Sequence, residues 1–237
     1  MANSFFKFKQ FTVRQDKCAM KVCTDACLFG AITAQTKAAN ALDIGAGTGL
    51  LSLMFAQKNS LAKIDAVEIN SDAFAQAKEN FAATDFAKNI QAHHQSIQDF
   101  SADKNEQYEL IFSNPPFFEN DLKSPDSMRN SALHSSELTL QELVGIAEKL
   151  LLKNGIFAVL LPYSRTDYFI HSAEAENLFL QKKYLIKQTP KHDFFRSILF
   201  FAKMPANRAS AEIIIKGNDD NYTPEFRELL KDYYLFL

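Results

Sequence analysis

Ala41-Leu42-Asp43-Ile44-Gly45-Ala46-Gly47-Thr48-Gly49, running on through Leu50 to Lys58, decides how the rest of the chain is read. A short, mostly apolar strand meets three glycines at alternate positions. The backbone there can pass close to a ligand, and the apolar run that follows continues as a helix whose first N–H groups point back at the turn. The same rhythm recurs downstream. Lys63 to Ile69 reads as a second strand and Ser71 to Ala83 as an amphipathic helix capped by Ser71. Asn89 to His94 is a weak third strand, followed by a polar loop carrying Gln98 and Asp99, and Tyr108 to Ser113 is a fourth strand. After a polar stretch to Glu137, a helix from Leu140 to Leu152 ends on Asn154-Gly155, where glycine takes a left-handed cap. Ile156 to Leu161 is a fifth strand, stopped by Pro162. Strands alternating with helices at this pitch imply a parallel sheet covered on both faces.

The flanks follow other patterns. Phe6, Phe8, Phe11 and Val13 alternate with Lys7, Lys9, Gln10 and Arg14, which is the period of a short strand or hairpin with one wet face. Thr24 to Thr36 turns helical, with Thr24 or Asp25 as N-cap. Beyond Ser164 comes a helix to Asn177. Two long β-like runs follow, Phe179 to Gln188 and Phe195 to Lys203, expected to form an antiparallel hairpin on the sheet edge. Ala211 to Lys216 offers one more strand, and Pro224 to Tyr234 reads as a terminal helix with Pro224 at its first position. The expected organisation is an N-terminal extension, residues 1–36, packed on one domain, residues 37–237.

Composition narrows the class. Hydrophobic residues at 47% and charged residues at 23% of 237 suit a globular protein with a full core. With 22 Phe and no Trp, many rings must be core. The net charge of -2 predicts no overall attraction to nucleic acid, but basic residues gather before Lys21 and between Gln181 and Lys216. No apolar run approaches the ~20 residues that span a bilayer, and the first residues lack the apolar core of a signal peptide, so a cytoplasmic location is expected. Cys18, Cys23 and Cys27 contain no C-x-x-C pair, which fits neither a disulfide framework nor a zinc site.

The chemistry-bearing residues fall at one place. The fourth strand stops at Asn114-Pro115-Pro116-Phe117-Phe118, where a rigid turn fixes an amide bearing both acceptor and donors beside an aromatic ring. The dinucleotide fingerprint needs a third glycine where this chain has Leu50, which weakens an NAD or FAD reading. Asp43, just before the loop, suits a sulfonium or ammonium better than a pyrophosphate. Glu68, at the end of the second strand, is placed for the hydroxyls of a ribose, and Asp99 for an adenine amino group. With Asn114, these lie at carboxyl ends of successive parallel strands, where open α/β sheets bind ligands.

Together, Asp43-Ile44-Gly45-Ala46-Gly47-Thr48-Gly49, the acidic end of the second strand and Asn114-Pro115-Pro116-Phe117 resemble a class I methyltransferase that uses S-adenosylmethionine and alkylates a planar exocyclic nitrogen. The run from Phe8 to Asp16, with Ala19 to Val22 and Thr24-Asp25, makes it similar to the bacterial tRNA1(Val) adenine N6-methyltransferases, which modify the adenine immediately 3′ of the anticodon. Cys23, Cys27 and Phe29 depart from the residues expected there. The resemblance implies a Rossmann-like α/β fold: a mostly parallel seven-stranded sheet with an antiparallel hairpin at its edge and helices on both faces. It implies a cofactor site of Thr24, Asp43, Gly45, Gly47, Gly49, Glu68, Asp99 and Asn114, with Asn114, Pro115 and Phe117 catalytic and no metal. The Asn114 amide oxygen and the Pro115 carbonyl would each accept an amino hydrogen while Phe117 stacks on the base. Lys7, Lys9, Arg14, Lys182, Lys183, Lys187 and Arg196 are candidates for RNA phosphates, and Phe5, Phe6 or Phe194 for bases. The expected partner is the tRNA anticodon loop, with no membrane, and the expected state a monomer. Two other readings stand beside it: methylation of a glutamine side chain in a release factor or ribosomal protein, or of rRNA or DNA adenine, and a non-catalytic nucleotide-binding module.

Overall fold

The computed structural model describes residues 3–18, 20–116 and 138–237. A two-stranded antiparallel hairpin, β1 (Phe5–Lys7) and β2 (Thr12–Arg14), precedes an eight-stranded sheet. The sheet comprises β3 (Asn40–Ile44), β4 (Lys63–Glu68), β5 (Ile90–His94), β6 (Tyr108–Ser113), β7 (Leu151–Pro162), β8 (Phe179–Lys187), β9 (Phe194–Ala202) and β10 (Ala209–Ile214). Their order is β10-β8-β9-β7-β6-β3-β4-β5. Strand β9 alone runs against the rest, antiparallel to both β7 and β8, while β10 pairs parallel with β8. The Rossmann-like architecture is therefore present with one strand more than the expected seven. Because β10 adds outside β8, the antiparallel hairpin sits one strand in from the edge.

Seven helices accompany the sheet among the described residues: α1 (Thr24–Thr33), α2 (Leu50–Lys58), α3 (Ser71–Ala82), α4 (Ile97–Ser101), α5 (Leu140–Leu150), α6 (Thr166–Ala175) and α7 (Pro224–Leu230). Buried side chains of α1, α2, α3 and α7 share one apolar cluster with Leu110 and Phe112 of β6. Those of α4, α5 and α6 share another with Ile111. Successive residues of β6 thus feed opposite clusters, which is why that strand is a nearly unbroken apolar run.

Several local signals differ from the expectation, some in position and some in type. Helix α3 is capped by Asn70, not Ser71: the Asn70 side chain accepts from the N–H groups of Asp72 and Ala73 at 3.0 and 2.9 Å. Helix α1 starts at Thr24 with Cys23 at the N-cap and no side-chain capping bond. The loop with Gln98 and Asp99 is helix α4, capped by Ser96. Asn154-Gly155 caps nothing, because α5 ends at Leu150 and β7 begins at the next residue. Gly155 sits instead where the β6–β7 register shifts, and a Cβ there would lie 2.9 Å from the Tyr108 carbonyl. Close backbone approach, not a helix stop, is what this glycine allows. Pro224 does occupy the first turn of α7, behind a Thr223 cap.

Candidate active site

The glycine turn comes first. Gly45, Gly47 and Gly49 adopt φ of +74°, +55° and +80°, a region open to glycine and costly for other residues. A side chain at 45 or 47 would meet nothing within 4 Å, so both positions border open space at the carboxyl rim of the sheet. At Gly49 a Cβ would fall 2.4 Å from the Phe81 ring, so this glycine also admits α3. The Glu68 carboxylate holds the turn: Oε2 accepts from the Gly47 N–H and Oε1 from the Asn70 N–H, both at 2.8 Å. Each oxygen keeps lone-pair capacity for a hydroxyl.

Asp43 is fully buried on β3. Ser52 donates to its Oδ2 at 2.7 Å, and its Oδ1 has no hydrogen-bond partner. Burial pushes its carboxyl up to about 7, with the Ser52 hydroxyl opposing and the negative charge of Glu68 adding to the rise. On the adjacent strand, Ser113 donates to the Ile44 carbonyl at 2.8 Å and ties the end of β6 to the end of β3. The next residue is Asn114, whose Oδ1 is also buried without a partner. Of four such orphaned side-chain oxygens among the described residues, two therefore flank the glycine turn. A buried acceptor left unpaired costs about 1–3 kcal/mol, and a polar, cationic ligand seated over bare glycines would relieve both.

The other expected residues are more scattered. Asp99 is exposed in the first turn of α4, and its Oδ2 accepts from Ser96 Oγ at 2.7 Å. Thr24 opens α1, and its neighbour Asp25 pairs with Arg196 Nε at 2.8 Å. Arg196, expected on RNA, thus also anchors the start of α1 to β9. Lys9 donates to the Lys231 carbonyl at 2.6 Å, while Lys7 and Arg14 belong to the N-terminal hairpin. Lys182 and Lys183 lie mid-strand on β8, about 15 Å down from the rim that Lys187 occupies. Pro115 is buried behind Asn114. Phe117, Phe118 and the polar stretch to Glu137 lie outside the described residues. Cys18 and Cys27 are buried and Cys23 is exposed. Among the described residues no group of His, Cys, Asp and Glu is arranged for a metal, and no helix is long and apolar enough to cross a membrane.

One participant escaped the sequence reading. Asn80 of α3 is buried, accepts from the Arg14 N–H at 2.9 Å, and donates to the carbonyls of Arg14 and Thr48, each at 2.9 Å. A single amide thereby joins the N-terminal hairpin to the glycine turn. Its signal was present: Ala73, Gln76, Ala77, Asn80 and Phe81 are the buried residues of α3, the i, i+3, i+4, i+7, i+8 stripe of a helix, with two amides standing where apolar residues belong.

A family model described as methyltransferase small domain matches residues 24–162, more than half of the chain. The tRNA1(Val) (adenine(37)-N6)-methyltransferase of Dyadobacter fermentans is 43% identical over 237 residues, covering 98% of each chain. Those of Parabacteroides distasonis and Trichodesmium erythraeum are each 40% identical, covering 99% of both chains in each comparison. The chain belongs to this methyltransferase family. The resemblance read from the glycine and N-P-P-F motifs is borne out, and the protein is a methyltransferase. Solved structures agree on the fold: a predicted O-methyltransferase from Agrobacterium tumefaciens superposes with a TM-score of 0.70 at 16% identity, covering 88% of this chain and 96% of its own. P. horikoshii TYW2 in complex with MeSAdo gives 0.61 at 14%, covering 84% and 71%.

Proposed function

We propose that the protein methylates N6 of the adenine immediately 3′ of the anticodon in tRNA1(Val), with S-adenosylmethionine as cofactor, in the cytoplasm. The observation that carries this reading is the buried, unpartnered Oδ1 of Asn114 at the strand end beside the glycine turn. Full-length relatives named for tRNA adenine, 40% identical or more, favour adenine over the glutamine amide. S-adenosylmethionine supplies an electrophilic methyl group on a sulfonium. The bare rims of Gly45 and Gly47 leave room for it, Glu68 presents acceptors for ribose hydroxyls, and the ionised Asp43 carboxylate complements its positive charge.

An adenine amino group is a weak nucleophile because its lone pair is drawn into the ring. Asn114 Oδ1 and the Pro115 carbonyl accept its two hydrogens and turn the lone pair toward the methyl group. As positive charge develops on nitrogen, both acceptors would already face its hydrogens, so alignment and fixed dipoles supply the rate without a general base. The methylated nitrogen then releases one proton to water, with the neutral thioether S-adenosylhomocysteine as the second product. Phe117 stacks on the extruded base.

Purified protein given S-adenosylmethionine and unmodified tRNA should yield N6-methyladenosine in nucleoside mass spectrometry. Methylated protein with no modified nucleoside in any tRNA would overturn the reading. Asn114→Ala should cut turnover by about 100-fold or more while calorimetric cofactor affinity stays near wild type.

A further inference from the structure

Beyond the target base, the rim holds an aromatic group that neither buried cluster uses. Ser113 is level with Val159 on β7, so Tyr163, just past Pro162, lies within about 10 Å of the level of Asn114 on the neighbouring strand. Tyr163 is 42% exposed. Its ring lies 5.3 Å from the ring of Phe194, the first residue of β9, tilted by 44°. Lys187, the last residue of β8 and the register partner of Phe194, holds its Nζ 4.3 Å from that ring's centroid. The carboxyl ends of β7 and β8 and the start of β9 thus bring together an exposed tyrosine, a phenylalanine backing it, and an ammonium at their side. All three stand on the rim that carries Asn114.

We infer that Tyr163, Phe194 and Lys187 form a subsite for the nucleotide adjoining the target adenine, with the Tyr163 face taking its base and Lys187 its phosphate. The inference rests on the adenine reading above. Extruding the target base from a single-stranded loop strips its neighbour of a stacking partner, and an aromatic face at the rim replaces that partner. Stacking of this kind tolerates any base, because every base has a π face, so the subsite selects an unpaired strand and not a sequence. The cation beside the rings suits a polyanion and gives the surface no reason to hold an apolar protein segment.

Methylation kinetics on an anticodon stem-loop, ordinary or carrying an abasic nucleotide on either side of the target, test this. Tyr163→Ala should raise KM for the ordinary stem-loop about tenfold, while Tyr163→Phe stays within about twofold of wild type. The dissociation constant for S-adenosylmethionine should not move in either variant. On one side of the target, the abasic substitution should raise the wild-type KM yet add nothing to that of Tyr163→Ala. Lys187→Gln should lower the slope of log affinity against log salt by about one. A wild-type KM for Tyr163→Ala with N6-methyladenosine still formed, or independent losses from variant and abasic site, would overturn the subsite alone. Failure of wild type to form N6-methyladenosine would instead overturn the adenine reading, and the subsite with it.

Discussion

At Asp43, burial and function pull in opposite directions. Its carboxyl is pushed up to about 7 by burial, whereas a cationic ligand needs it ionised. Cofactor affinity should therefore tighten as pH rises from 6 to 8, and calorimetry should find that dependence flattened in Asp43→Asn. Without ligand the sign reverses. A carboxyl that binds its proton more tightly folded than unfolded contributes stability at low pH, and this is lost as pH climbs from the ordinary carboxylate value of about 4 toward 7. The three glycines were legible in sequence because positive φ favours glycine, and Asp43 because it immediately precedes them at a strand end. Asn80 was not, because a mid-helix asparagine reads as a solvated residue until the stripe it shares with Ala77 and Phe81 is noticed.

Between elements, polar side chains do the tying. Besides Asn80, Gln76 accepts from the Lys17 N–H at 3.1 Å, and Gln15 accepts from the Val22 N–H at 2.7 Å. The bonds from Asn80 and Gln76 lay residues 14–17 along α3 beside the glycine turn, and Gln15 links that stretch to Val22. Asn80→Ala strips three backbone groups of their partner, the Thr48 carbonyl buried and the two of Arg14 part-buried, which should cost about 1–3 kcal/mol in denaturant unfolding and weaken cofactor affinity as well. Gly155→Ala should destabilise by about 1–3 kcal/mol without touching cofactor affinity, because its Cβ would crowd Leu151 and the Tyr108 carbonyl far from the rim. That glycine was misread as a cap because helix stops and strand irregularities share the same residues, and only pairing with β6 distinguishes them. The alternation of strands and helices was legible because residues buried on both faces leave long apolar runs. The insertion of β9 between β7 and β8 was not, since strand order is a property of pairing.

For the whole molecule, a net charge of -2 coexists with Lys187 at the rim and with Lys7, Lys9 and Arg14 on the N-terminal hairpin. Binding of tRNA should therefore weaken steeply with added salt in filter or fluorescence titrations. A flat response would remove these side chains from the interface.

The hairpin itself is fastened by the far end of the chain. Phe8 forms a bridge with Tyr234, and the Lys9 N–H donates to the Tyr233 carbonyl at 2.8 Å. During synthesis the first strands emerge long before the residues that secure them. The bonds to Tyr233 and Tyr234 can therefore close only after α7 has been made, whereas those of Arg14 and Lys17 to α3 need nothing beyond Asn80. Asn80 grips Arg14 and the glycine turn together, so the hairpin that the last residues fasten reaches the cofactor site through a single amide.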